Sequence, residues 1–255
     1  MADYQKILYA VDQSIARITL NRPDKRNALD DEIVAEFKDA LRATSRDESV
    51  RVVLVSGAGK DFCSGADLAS LQRVSEAGVE ESIASARVMG ELFIDMRRHP
   101  RAIIAAVRGR ALAGGCGLAT ACDIILAAES AQFGYPEVNI GFIPAMVMAI
   151  LRRSVSEKRA FELITRGEII TASAAHEIGM INRVLPDDQF EAEVDAYVSQ
   201  MAAKSASAVT LAKNLLYHMD GMTFDTAIEA GIQLNAITRM TDDCKRGVER
   251  FLKKS

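Results

Sequence analysis

The chain has 255 residues, 49% of them apolar and 26% charged, which suits a globular protein of one large domain or a domain with an appendage. A formal net charge of −4 removes the electrostatic case for nucleic acid or an acidic membrane surface, although scattered Lys and Arg still suit a phosphorylated small molecule. No apolar run has the length of a membrane span, and MADYQKILYAVDQ lacks the basic-then-apolar order of a secretory signal.

In chain order, SIARITL (14–20) reads as a strand with Ala16, Ile18 and Leu20 on one face. ALDDEIVAEFKDALRATSRD reads as a helix with Asp30 as N-cap and Ile33, Phe37 and Leu41 at i, i+4, i+8. VRVVLVSG (50–57), RAIIAAVRG (101–109) and DIILAA (123–128) are continuous Val- and Ile-rich runs, the pattern of strands covered on both faces. Between the first two of these, a polar stretch around Gly78 predicts a mobile surface loop. Ile83, Ala86, Gly90 and Phe93 then predict a helix closed by Pro100. INRVLP (181–186) carries the last strand signal, and four amphipathic helical segments follow Asp188. The chain thus divides into an α/β part, 1–187, and a helical part, 188–255, which reads as an oligomer contact. Cys63, Cys116, Cys122 and Cys244 form no CxxC pair and have no His at ligand spacing. They read as small buried hydrophobes in a reducing cytoplasm, without a metal centre or disulfides.

The stretch between Arg110 and Asp123 holds twelve uncharged residues, among them Gly114, Gly115 and Gly117. A dinucleotide loop does not fit, because the third glycine of GxGxxG would fall on Thr120. SGAGKDF (56–62) lacks the Walker spacing. Ser64 is not in a GxSxG elbow, and His99, His176 and His218 read as structural or surface residues. What remains is a pair of glycine turns, CSGADL (63–68) and LAGGCGL (112–118), each preceding helix-like sequence. Either one alone is equally a tight turn or a close packing point. Brought together, they would present two unobstructed N–H groups to a developing enolate or oxyanion, reinforced by a helix N-terminus.

LNRPDKRNALD, FCSGADL, VRGRALAGGCGLATACDIILAAESAQFGYPEVNIGFIP and TDDCKRGVERFLKK together resemble, in order and spacing, the crotonase superfamily of enoyl-CoA hydratases and isomerases. The resemblance covers essentially the whole chain. It implies an α/β fold, a spiral of ββα units with a C-terminal helical trimerisation region, assembled as a homotrimer or a dimer of trimers. It implies an acyl-CoA thioester substrate, with CoA entering as part of that substrate and no other cofactor. The enolate donors would be the amides of Ala66 and Gly114. Lys25, Arg26 and Ala28 would lie along the CoA-binding edge. Further substrate contacts would fall at Ser64, Gly65, Asp67 and Leu68, at Gly115 and Gly117, at Pro136 and at Ala145. Phe251, Lys253 or Lys254 would contribute from a neighbouring subunit.

The family's hydratases carry two glutamates, and here one of those positions is Gly117 while the other is Glu137 in FGYPEV. Adding water requires activating it and delivering a proton to the α-carbon, tasks that two carboxylates divide. One carboxylate instead suits a 1,3-proton shift, so Glu137 as lone acid/base favours double-bond isomerisation. IPAMVMAILRR (143–153) stands where hydratases have a glycine-rich stretch, which argues for a drier acyl pocket. Residues 144–150 and the loop 69–85 are expected to set acyl specificity. The alternatives are a hydratase working with one glutamate, a decarboxylase or thioester hydrolase using the same oxyanion site, and a non-catalytic acyl-CoA-binding protein.

Overall fold

The computed structural model describes residues 4–67, 72, 76 and 78–253. Leu68 and most of the polar segment before Gly78, including the predicted loop, lie outside the described residues, as does Lys254.

The chain starts with a hairpin, β1 (Ile7–Asp12) and β2 (Ile15–Leu20), paired antiparallel. Gln13 and Ser14 both take positive φ, +48° and +67°, which gives the two-residue turn the twist that the strands need. β3 (Val52–Gly57), β4 (Ala102–Val107), β6 (Ile124–Ala128) and β9 (Arg183–Leu185) add in parallel, giving the order β1-β2-β3-β4-β6-β9. Every residue of β4 is buried, as its unbroken apolar run predicts. Helix α1 (Asp31–Arg46) begins where expected: the Asp30 carboxylate accepts from Ile33 N at 2.9 Å, and Ile33, Phe37 and Leu41 are buried. Helix α2 (Val79–Arg98) follows Gly78 and buries Leu92, Phe93 and Met96. Its N-terminal half is surface, with Ile83 53% exposed, so the expected apolar stripe is buried only in the last turns.

A second, three-stranded sheet contains β5 (Arg110–Leu112), β7 (Gln132–Gly134) and β8 (Ile169–Thr171). β5 and β7 run parallel, with Leu112 beside Gly134. Helix α3 (Gly114–Ala121) leaves β5, and α4 (Ala145–Ser154) packs against it. Helices α5 (Glu157–Arg166) and α6 (Ala172–Glu177) complete this layer.

In the helical region, α7 (Phe190–Ala202) buries Phe190, Val194 and Val198 against β2, β3 and β6. Helix α8 (Ala206–His218) is clasped to the core through Lys213, whose ammonium donates to Asp123 Oδ2 at 2.8 Å and to the carbonyls of Met96 and Arg101, both at 3.1 Å. Helices α9 (Phe224–Met240) and α10 (Asp242–Leu252) bury no residue, and they expose Phe224 (80%) and Phe251 (74%). Cys63, Cys116 and Cys122 are buried free thiols, whereas Cys244, on this outer layer, is only partly buried and departs from its expected place in the core.

Candidate active site

The two glycine turns meet. Residues 63–67 lie between Leu29 on one side and β5 on the other. Cys63 N donates to Arg110 O (3.0 Å) and Leu112 N to Cys63 O (2.9 Å). Leu29 N donates to Gly65 O (2.8 Å) and Asp67 N to Leu29 O (2.9 Å). In that parallel bridge the bonds come from the residues flanking Ala66, so the Ala66 amide points away from Leu29. Gly65 has φ +97°, and a Cβ there would stand 2.7 Å from Ala113 Cβ and 3.1 Å from Gly114 N. A Cβ on Gly114 would be 3.7 Å from Ala66 N. The amides of Ala66 and Gly114 are therefore neighbours, and among the described residues neither finds a hydrogen-bond acceptor.

Ala113 makes the corner between β5 and α3. It takes φ +50° and ψ −129°, a conformation that costs about 1–3 kcal/mol without glycine and concentrates at functional sites. Its amide is anchored to Gly134 O at 2.8 Å. The corner aims the free first-turn amides of α3, with their partial positive charge, at the turn carrying Ala66. Gly115 has no room for a side chain, since a Cβ would lie 2.7 Å from both the carbonyl carbon and Cβ of Cys63.

The same strand pairing delivers Glu137. A single 3₁₀ turn, Pro136–Ile140, follows β7 and holds Glu137 in its first turn. Glu137 is 7% exposed, and its Oε2 is buried with no partner among the described residues. Burial raises its pKa above the usual carboxylate range, against a smaller lowering by its own backbone amide. Its turn is tied to α3: Tyr135, fully buried, shares a 2.8 Å hydrogen bond with Thr120 Oγ1, which donates to Cys116 O at 2.7 Å. Burial pushes the Cys116 thiol up to about 11, and the nearby Glu137 charge adds to that rise.

At Gly117, one turn along α3 from Gly114, the space is taken. A Cβ there would come closer than 3.0 Å to Val147 Cγ2 and stand 3.5 Å from Val147 Cβ and Cγ1. Val147 is 4% exposed on α4. Ala145 is itself exposed at the start of that helix, and Val147, two residues on, is the residue that reaches α3.

Of the basic segment, Lys25 and Arg26 are exposed and Ala28 is buried. Ser64 N donates to Arg26 O at 3.0 Å, which joins this segment to the first glycine turn. Two organising residues escaped sequence reasoning. Asn27, wholly buried at φ +55°, accepts from Arg22 N (2.9 Å) and donates to Ala58 O (2.9 Å) and Asp61 O (2.8 Å). Arg22 pairs with Asp30 at 2.9 Å and with Asp67 at 3.2 Å, so the Asp67 carboxylate serves as a brace under the turn. Asn27 had a signal, since a polar residue between RPDK and an apolar run suits a tight turn. Tyr135 had none apart from the fold, and Val147 stood among several bulky apolar residues of IPAMVMAILRR with nothing to single it out.

Residues 10–255 match the model of the enoyl-CoA hydratase/isomerase family. The chain is 38% identical over 240 residues to a putative enoyl-CoA hydratase of Thermus thermophilus, covering 94% of this chain and 95% of the relative. It is 33% identical to the crotonyl-CoA hydratase of Syntrophomonas wolfei, covering 98% and 96% respectively. Among solved structures, an enoyl-CoA hydratase of Mycobacterium smegmatis superposes with a TM-score of 0.93 at 31% identity, covering 98% of this chain and 97% of the other.

Proposed function

This chain belongs to the enoyl-CoA hydratase/isomerase family and is an acyl-CoA enzyme, and we propose that its reaction is a proton shift within an enoyl thioester, with Glu137 as the one acid/base. The Glu137 carboxylate takes a proton from C2 of a 3-enoyl-CoA. The electron pair moves into the thioester carbonyl, and the enolate oxygen accepts hydrogen bonds from the amides of Ala66 and Gly114. The Glu137 carboxylic acid then returns the proton to C4, and the double bond ends between C2 and C3. Burial of Glu137 raises the basicity of the carboxylate and so suits it to both steps. Lys25 and Arg26, exposed at the rim beside the first glycine turn, face the CoA phosphates, which need no closed pocket.

The observation that carries this reading is the buried Glu137 carboxyl, whose Oε2 has no partner among the described residues, together with a glycine at 117. The test uses trans-3-enoyl-CoA and trans-2-enoyl-CoA in heavy-oxygen water and, separately, in deuterated water. Conversion of the 3-enoyl to the 2-enoyl ester without oxygen gain is expected. Glu137→Gln should lose at least about 100-fold in that rate while still binding the ester. An unchanged rate removes Glu137 from the chemistry.

A second reading, hydration with Glu137 handling both proton steps, is favoured by relatives named as hydratases. Gain of one water with heavy oxygen at C3 identifies it in the same assay. Self-association through the outer helices is supported by their exposed apolar residues Phe224, Ile228, Ile232 and Met240. The cytoplasm suits the three buried free thiols.

A further inference from the structure

We propose that Val147 is the residue that denies an attacking water access to C3 of the bound enoyl thioester, and that it acts as the complement of Gly117. The proposal rests on the proton-shift reading and extends it to what prevents hydration at this site. Gly117 lies three residues after Gly114 on α3, so both positions share one helix face. The place a side chain at 117 would take is filled by Val147 Cγ2, delivered by α4, which packs on α3. Valine is stiff in a helix, where one χ1 rotamer dominates, so the methyl cannot swing aside as a methionine would.

A fixed water needs two to four polar partners. On α3 itself, the polar groups at position 117 and one turn beyond it are already engaged. Gly117 N donates to Ala113 O at 3.0 Å, and Thr120 Oγ1 is shared between Cys116 O and Tyr135. The valine methyls offer nothing to replace them. Among the described residues Glu137 is then the carboxyl left to move a proton, and with no second carboxylate to activate a water for attack on C3 of the 2-enoyl ester, the dienolate formed from the 3-enoyl ester takes its proton back from Glu137. The glycine and the valine work as a pair. A glutamate at 117 alone collides with Val147 Cγ2, and removing the valine methyls alone supplies no base. With alanine at 147, only the Cβ remains, 3.5 Å from a new Cβ at 117, an ordinary contact.

The experiment compares wild type, Gly117→Glu, Val147→Ala and the double variant on trans-2-enoyl-CoA in heavy-oxygen water. Hydration is read as one added water, with its oxygen on C3 and a proton on C2. The double variant should hydrate at least about tenfold faster than wild type, a modest share of the 10²–10⁴-fold that a positioned base supplies. Gly117→Glu alone should not. A folded, ester-binding double variant with no gain overturns the proposal, and so does Gly117→Glu alone hydrating as fast as the double. If glutamate prevents folding, Gly117→Ala decides. It should lower the melting temperature in the wild-type background and not in the Val147→Ala background; equal losses in both overturn the complementarity. Wild type is run in parallel on trans-3-enoyl-CoA. Failure to isomerise that ester sinks the proton-shift reading alone, while the comparison among variants still decides Val147.

Discussion

Gly65→Ala tests whether the two glycine turns form one device. At φ +97° an L-residue carries a backbone penalty of about 1–2 kcal/mol. The new Cβ would also lie 2.7 Å from Ala113 Cβ, 3.0 Å from Leu112 O and 3.1 Å from Gly114 N. Comfortable separations are about 3.5–4.0 Å, so the second turn must retreat by up to about 1 Å, at an overpacking cost of about 1–3 kcal/mol. Together these give about 2–5 kcal/mol of lost stability, or a fall of roughly 4–20 °C in melting temperature for a chain of this size. The retreat moves the Gly114 amide, and losing one oxyanion donor costs about 10²–10³ in kcat. Gly78→Ala is the control, because its φ is +105° but none of the described residues comes within 4 Å of the new Cβ. It should show the backbone penalty alone and leave kcat near wild type. Thermal melts and steady-state rates on one enoyl-CoA decide the matter. If Gly65→Ala behaves like Gly78→Ala in both, the Ala66 and Gly114 amides do not work together and the oxyanion assignment fails.

Two further outcomes can be measured. Because burial holds the Glu137 pKa above the ordinary carboxylate range, the isomerisation rate should fall on the acid side at a pH above that range, and stability should decline as pH rises from the unfolded to the folded pKa, where the native state holds the extra proton; a rate profile that is flat down to ordinary carboxylate pH contradicts this. Lys213→Met leaves Asp123 buried without its cation and should cost about 3–5 kcal/mol in a urea melt, whereas a loss under about 1 kcal/mol would mean the clasp behaves like a surface ion pair.

The parallel core was legible because β3, β4 and β6 carry continuous apolar runs and β2 alternates, and α1 was legible from its cap and its period. The second sheet was not. Its strands β5, β7 and β8 have three residues each, too few for any period to register, and they are strands only because β5 and β7 lie side by side. Yet that pairing is what brings Ala113 to Gly134 and sets Glu137 beyond it. The glycine turns could be read as bare backbone, but their meeting depends on Leu29 and β5 closing on residues 63–67 from opposite sides.

The position of the missing glutamate separates two kinds of information in a sequence. An absence at Gly117 is visible against a family pattern, and it says only that one group is not supplied. What stands in the vacated space depends on a helix thirty residues later. In IPAMVMAILRR any of several apolar side chains had an equal claim from periodicity alone. Packing selects Val147, which is buried against α3, while Met146 on the same helix is 37% exposed. Loss of the carboxylate alone would leave a cleft for water, a site that is slow but still wet. On the proposed reading, loss together with a stiff methyl in its place would commit the site to moving protons, and the contact between residues 117 and 147 is where that commitment would reside.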